Sequence, residues 1–234
     1  MEWMKIMNDG LIPYMLDYRM NGWILVGCIL ICIILPYLLG SLNFALILSR
    51  RFYGEDVRQK GSGNAGMTNM LRNYGKGAAA LTLLGDALKA VVSSLIGYVV
   101  FGVTGAYIAG LFCILGHMFP IYYRFKGGKG VVTTAVMILM LNPVIFLILL
   151  AVFLLIVLGT RFISLGSVMC VMIWPLILQR MEGAGAPVLM AMAIAALVVF
   201  MHRENIKRLL RGEENKVSFG KKKKPTEKED ETDE

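Results

Sequence analysis

From Trp23 to Leu48 the chain runs 26 residues without one charged side chain. At about 1.5 Å per residue a helix of that length crosses the ~30 Å hydrocarbon core of a bilayer with some tilt. Lipid offers the backbone no hydrogen-bond partner, so a spanning segment must be a helix or part of a closed barrel. Further apolar blocks follow at Ala78 to Phe101, Val103 to Tyr123, Val131 to Gly159, Phe162 to Leu178 and Pro187 to Met201. With 57% hydrophobic residues gathered into such blocks, the fold class is an all-α polytopic membrane protein. Glu2, Asp9 and Asp17 precede the first block, which is too long for a signal-peptide core, so no cleavage is expected.

Charge placement orients the chain. Arg50, Arg51, Arg58, Lys60, Arg72 and Lys76 fall in one connection, Arg124, Lys126 and Lys129 in a second, and ten basic residues lie between 202 and 234. By the positive-inside rule all three segments are cytoplasmic, and the turns near 102 and 142, which lack Lys and Arg, are external. A single span over 131–159 would leave the basic tail outside. A break at Asn142-Pro143, a dipeptide that disfavours continued helix, restores it to the cytoplasm. Seven transmembrane helices result, some short or broken, with cytoplasm-facing glycine-rich loops, and Arg161 and Ser164 return to the inner face. Residues 1–22 form an external N-terminal segment, 23–216 the membrane domain, and 217–234 a charged tail expected to be disordered.

The four cysteines lie inside apolar blocks; Cys28 and Cys32 could share a helix face, but no His or acid accompanies them at ligand spacing, and no metal site and no cofactor are expected. Gly61, Gly63 and Gly66 match G-x-G-x-x-G, but the charged stretch before them is no buried strand, and the dinucleotide-binding reading fails. Three glycines in a charged loop instead suit an anion-binding nest, with Ser62, Asn64, Thr68 and Asn69 as short polar side chains. A second loop, "FKGGKGVVT", sets Gly127, Gly128 and Gly130 around Lys129 just before a helix, where free N–H groups and an ammonium favour phosphate. Neither stretch is a Walker A loop. In "HRENIKRL", His202 and Asn205 share a helix face at the inner end of the last span. Asp86 and Lys89, one turn apart in a span, are expected to neutralise each other or to face a polar cavity. Gly97, Gly102, Gly105 and Gly110 read as close helix contacts.

The segments 40–50, 61–79, "GDALKA" (85–90), 116–133, "ISLGS" (163–167) and 202–216 together resemble the bacterial membrane glycerol-3-phosphate acyltransferases, the acyl-phosphate-dependent PlsY family, over about residues 24–216. Departures are small: Ala65 stands where many members have proline, and Ala90 where glycine is common. The resemblance implies transfer of a fatty acyl group from acyl phosphate to the 1-position of sn-glycerol 3-phosphate, giving lysophosphatidic acid and phosphate. It also implies catalytic roles for Ser41, Arg50, Lys129, Ser164, His202 and Asn205. Substrate binding would fall to Gly61, Ser62, Gly63, Asn64, Gly66, Thr68, Asn69, Lys126, Gly127, Gly128 and Gly130.

The implied route is substrate-assisted: the acyl phosphate accepts the hydroxyl proton, while His202 and Asn205 orient phosphate. A His202 base and a Ser41 acyl-enzyme stand as alternatives. The expected surroundings are the cell membrane, with the N-terminus outside and the C-terminus inside by charge placement, no nucleic acid, and transient contact with an acyl-phosphate-producing enzyme. On the residues alone, a transporter for an organic phosphate or a headgroup-binding subunit would also use such cationic sites.

Overall fold

The computed structural model describes Lys5 and residues 8–217, so the tail from position 218 lies outside the described residues. Helices are α1 (Leu11–Met15), α2 (Gly22–Ser41), α3 (Phe44–Tyr53), α4 (Met67–Met118), α5 (Val131–Leu141), α6 (Pro143–Thr160), α7 (Ile163–Glu182), α8 (Ala186–Met201) and α9 (Arg203–Leu210). No strand occurs among the described residues. The protein is an all-helical membrane protein.

The 52 residues of α4 are not one rod. Backbone angles leave the helical region at Gly75 (φ 85°) and at Phe101 and Gly102 (φ 55°), and only a residue without Cβ takes such positive φ readily. At Gly102 the chain folds back on itself, and a Cβ on Gly97 or Gly105 would collide with the backbone of the other leg. Gly40 and Gly116 likewise bring α2 against the second leg of α4, and Gly110 receives Met137 of α5. Close approach of small residues is what drives helix association in lipid, where burial of apolar surface gives no advantage. Gly102 differs from its expected packing role: it is the turn itself.

The first long leg of α4 reverses the soluble pattern. Leu81, Leu84, Leu88, Val92, Leu95 and Val99 recur every three or four residues and are all exposed, as a stripe facing lipid requires. The opposite face buries Asp86, Lys89, Ser93 and Gly97 against α2 and the returning leg.

Among the described residues four helices are long and apolar enough to cross a membrane, or five if α8 and α9, which meet at 60°, count as one span. One of the four, Met67–Tyr123, contains the Gly102 turn and supplies two legs. The break at Asn142 (φ −148°) separates α5 from α6, with the Asn142 side chain accepting from Ile145 N. Counting α5, whose 11 residues extend only about 16 Å, the chain has seven legs among the described residues, and we propose that these are the seven spans.

Two ends of the bundle are distinct. At one, Gly10 packs on Val100 to Gly102, Tyr98 Oη donates to Met140 O, and Asn142 Nδ2 donates to Glu182 Oε1. Gly10 and α1 thus have a place: they pack against the Gly102 turn. The other end gathers the 54–66 loop, the 119–130 loop, the α6–α7 turn and the segment after α8, tied by Arg58 Nη1 to Lys126 O, Ser164 Oγ to Glu214, and Val217 N to Arg161 O. The basic segments therefore share an end, as the charge pattern requires of them.

Candidate active site

A cavity of about 550 Å³ opens at that basic end and runs between the helices. Its mouth is lined by Ser62, Asn64, Thr68, Asn69, Arg72, Lys129, Ser164, His202, Asn205 and Glu214. Its depth is apolar: Leu83, Val136, Ile138, Phe146, Leu149, Leu150, Phe153 and Val171. Two helix N-termini face it, since Met67 and Thr68 begin α4 and Val131 and Val132 begin α5, and neither start has a side-chain cap. Uncapped first-turn N–H groups carry the positive end of the helix dipole, and with Lys129 and Arg72 they make the mouth anion-seeking.

Lys129 and the carboxylate of Glu214 organise the polar end. Lys129 Nζ donates to Asn205 Oδ1. Asn205 Nδ2 donates in turn to Glu214 Oε1 (2.7 Å), which also accepts from Ser164 Oγ (2.9 Å), while Arg208 Nε reaches Oε2 (2.8 Å). Burial disfavours the Glu214 charge, but the hydrogen bonds from Arg208, Asn205 and Ser164 outweigh it and hold the carboxyl below its ordinary range. Burial brings Lys129 down to about 8, partly offset by the Glu214 charge. At neutral pH it is still mostly an ammonium. Sequence reasoning missed Glu214, which looks like one more acid in a solvated charge run and becomes visible only when the tail folds back over α7.

His202 occupies the bend between α8 and α9. Its Nδ1 lies 2.8 Å from Val198 O, and a carbonyl only accepts, so Nδ1 carries the proton and Nε2 is the open position. Burial first, and the Lys129 charge second, push its pKa down to about 4. The ring is neutral at pH 7 and presents an acceptor. The expected role of donor to phosphate requires a second proton that this setting disfavours until an anion binds.

Not every expected residue lines the cavity. Ser41 is buried with its Oγ donating to Tyr37 O (2.8 Å) and accepting from Ile121 N (3.3 Å), which makes it a clamp between α2 and the 119–123 turn. Arg50 pairs with Asp56 (2.8 Å) and lies over the Tyr123 ring, half exposed at the rim. Lys126 is exposed. The glycine loops also differ from a free nest. The N–H groups of Gly63, Gly66, Gly127 and Gly128 are spent on the carbonyls of Lys60, Asn64, Met118 and His117, and Ser62 N on Asn69 Oδ1. These glycines serve shape instead: Gly61 and Gly63 take positive φ, and a Cβ on Gly127 or Gly128 would strike the His117 to Pro120 segment. The anion-facing N–H groups belong to the helix starts rather than to the loops before them.

Arg58 staples the two glycine loops. Its guanidinium binds Asp56 in two contacts (2.6 and 2.9 Å) and donates to Tyr123 O (3.3 Å) and Lys126 O (2.8 Å). That pairing holds the Asp56 carboxyl far below its usual range. Beneath them, Lys89 Nζ pairs with Asp86 (2.8 Å) and donates to Gly40 O (3.0 Å), Leu42 O (2.8 Å) and His117 Nδ1 (2.8 Å). One buried ammonium therefore joins the end of α2 to the last turn of α4. His117 Nε2 lies against Gly128, the residue before Lys129.

A family model described as glycerol-3-phosphate acyltransferase matches residues 30–212. The glycerol-3-phosphate acyltransferase of Syntrophomonas wolfei is 42% identical over 190 residues, covering 80% of this chain and 95% of the relative. That of Clostridioides difficile is 41% identical over 194 residues with the same coverage. Among solved structures, the integral membrane glycerol 3-phosphate acyltransferase PlsY (YgiH) in its glycerol 3-phosphate form superposes with TM-score 0.77 at 37% identity, over 81% of this chain and 96% of that one. Its lysophosphatidic acid form gives 0.74 at 35% identity, over 81% and 95%.

Proposed function

The chain belongs to the glycerol-3-phosphate acyltransferase family of integral membrane enzymes, and on that footing we propose that it moves a fatty acyl group from acyl phosphate to the 1-hydroxyl of sn-glycerol 3-phosphate, releasing lysophosphatidate and phosphate. The observation that carries this reading is the continuity of one cavity from a cationic, N–H-rich mouth to an apolar interior. An amphiphilic donor matches that gradient, and a water-soluble phosphate can enter beside its head. Family membership sets aside the transporter and headgroup-binding alternatives.

Acyl phosphate is an activated mixed anhydride, so the protein's work is chiefly alignment. Positioning of two bound reactants lowers a barrier by about 7–11 kcal/mol when the reacting atoms are near attack distance. Lys129, Arg72 and the starts of α4 and α5 hold the two phosphates. Asn205 and Ser164, fixed by Glu214, shape the remaining wall. The 2-hydroxyl of the glycerol donates to His202 Nε2, which orients the molecule and leaves the single proton of the 1-hydroxyl turned toward a phosphate oxygen of the donor while its oxygen faces the acyl carbon. As the new ester C–O bond forms, the anhydride C–O bond breaks and its electron pair leaves with phosphate. The hydroxyl proton passes to a phosphate oxygen, so the leaving group departs as hydrogen phosphate. The departing phosphate grows more basic as the bond breaks, whereas His202 is held at about 4, a poor resting place for a proton.

The basic end faces the cytoplasm of the cell membrane in this reading, where a soluble enzyme that makes acyl phosphate would deliver it. The test is product analysis with detergent-purified protein. Lysophosphatidate and phosphate formed in equal amounts from acyl phosphate support the proposal. Product formed from acyl-CoA but not from acyl phosphate refutes the donor assignment.

A further inference from the structure

Thr134 lies in the first turns of α5, is 1% exposed, and lines the cavity. Its Oγ1 has no hydrogen-bond partner among the described residues. A helical threonine ordinarily returns its hydroxyl to a carbonyl one turn back. Here that carbonyl, Gly130 O, already accepts from Thr134's own N–H (2.9 Å) and from Thr133 Oγ1 (2.9 Å). Buried polar groups are nearly always paired, so an open hydroxyl facing a cavity marks where a ligand atom belongs. Of the other unpaired buried atoms, Asp86 Oδ1 also lines the cavity but is a carboxylate oxygen beside Lys89 and can only accept, and the hydroxyls of Ser93 and Ser94 do not line it.

Position along α5 identifies that atom. Lys129 and Gly130 stand at the cationic mouth; Thr134 follows about 6 Å deeper along the helix axis; Val136 and Ile138 then begin the apolar wall. An acyl phosphate reads in the same order: phosphate, carbonyl, hydrocarbon chain. We propose that Thr134 Oγ1–H donates to the carbonyl oxygen of the acyl donor, and donates more strongly as that oxygen gains negative charge during attack. Thr134 then acts with the α5 N-terminus as the electrostatic partner of the tetrahedral stage, a role that no other unpaired side chain lining the cavity can fill among the described residues. The inference rests on the acyl-transfer reading above but applies to any donor with a carbonyl.

The experiment compares purified wild type, Thr134→Val and Thr134→Ser for kcat, KM of glycerol 3-phosphate and thermal midpoint, using acyl phosphate and, in parallel, acyl-CoA. Valine keeps the volume and loses the donor. The expected result is a kcat at least about tenfold lower for valine, the loss of one oxyanion donor reaching 10²–10³ elsewhere. KM of glycerol 3-phosphate and the midpoint stay unchanged, and serine recovers most of the rate. A valine variant with wild-type kcat overturns the inference. So does equal slowing of both variants with a lowered midpoint, which is the mark of a packing role. Wild type active only with acyl-CoA overturns the donor assignment instead, and the valine-to-wild-type ratio with that donor still decides the role of Thr134.

Discussion

Ser164 Oγ and the Glu214 carboxylate meet at 2.9 Å across fifty residues of chain, joining the first turn of α7 to the segment beyond α9. This contact turns a charged surface tail into a wall of the cavity. Replacing Glu214 by alanine strands the Ser164, Asn205 and Arg208 donors and costs about 2 kcal/mol of stability, on the scale of unsatisfied buried groups. Thermal unfolding in detergent measures it. The folded carboxyl titrates below its ordinary value of 4.5, so its contribution is complete above that pH and disappears as acid carries the solution through the lowered folded value. The alanine variant is expected to lose this part of the acid sensitivity.

Lys129 sets the alkaline limit. With its pKa at about 8, the ammonium that holds phosphate is lost as pH rises through that value, and KM of glycerol 3-phosphate should climb there. Lys129→Arg, charged throughout, should move the rise to higher pH, while Lys129→Met should lower kcat/KM by roughly 10² or more at pH 7. An unchanged alkaline limb in the arginine variant would show that another group controls it.

The His202 profile should be flat on the acid side until about pH 4, since protonation of Nε2 removes the acceptor only there. His202→Gln, whose amide oxygen still accepts, should keep a substantial part of the rate, and His202→Ala little. Equal loss in both variants, with the acid limb abolished, would point to a base.

Lys89 is a test of the buried node. Lys89→Met leaves the Asp86 charge unpaired and should cost about 3–5 kcal/mol, or prevent accumulation in the membrane. Adding Asp86→Asn should restore a good part of the loss. If the double variant is no better than the single one, the carbonyls of Gly40 and Leu42, not Asp86, are the partners that matter.

The glycine before Lys129 separates shape from donation. A Cβ on Gly128 meets Ala65 O at 2.6 Å as well as the His117 ring, whereas one on Gly159 meets nothing. Gly128→Ala should raise KM of glycerol 3-phosphate at least about tenfold by displacing Lys129, and Gly159→Ala should be neutral.

What the sequence made legible was whatever follows from local pattern. Apolar blocks marked the long helices, Asn142-Pro143 marked a break, and basic runs marked one end of the bundle. Glycines at 97, 105 and 110 do pack helices closely. Contacts between distant segments were hidden. Arg58 looks like one of several loop cations until Tyr123 O and Lys126 O are found above it, and His117 looks isolated until Lys89 reaches it from the other leg of the hairpin. The glycine loops were legible as important, but their role was not. A glycine that frees an N–H and a glycine that admits a neighbouring backbone read alike in sequence, and only the partners of Gly127 and Gly128 tell them apart.

The most direct test asks whether both substrates occupy the cavity at once. Initial rates measured over a grid of acyl phosphate and glycerol 3-phosphate concentrations, with intact-protein mass spectrometry after acyl phosphate alone, answer it. Direct transfer predicts intersecting reciprocal plots and no added acyl mass. Parallel plots together with an acylated protein would contradict it.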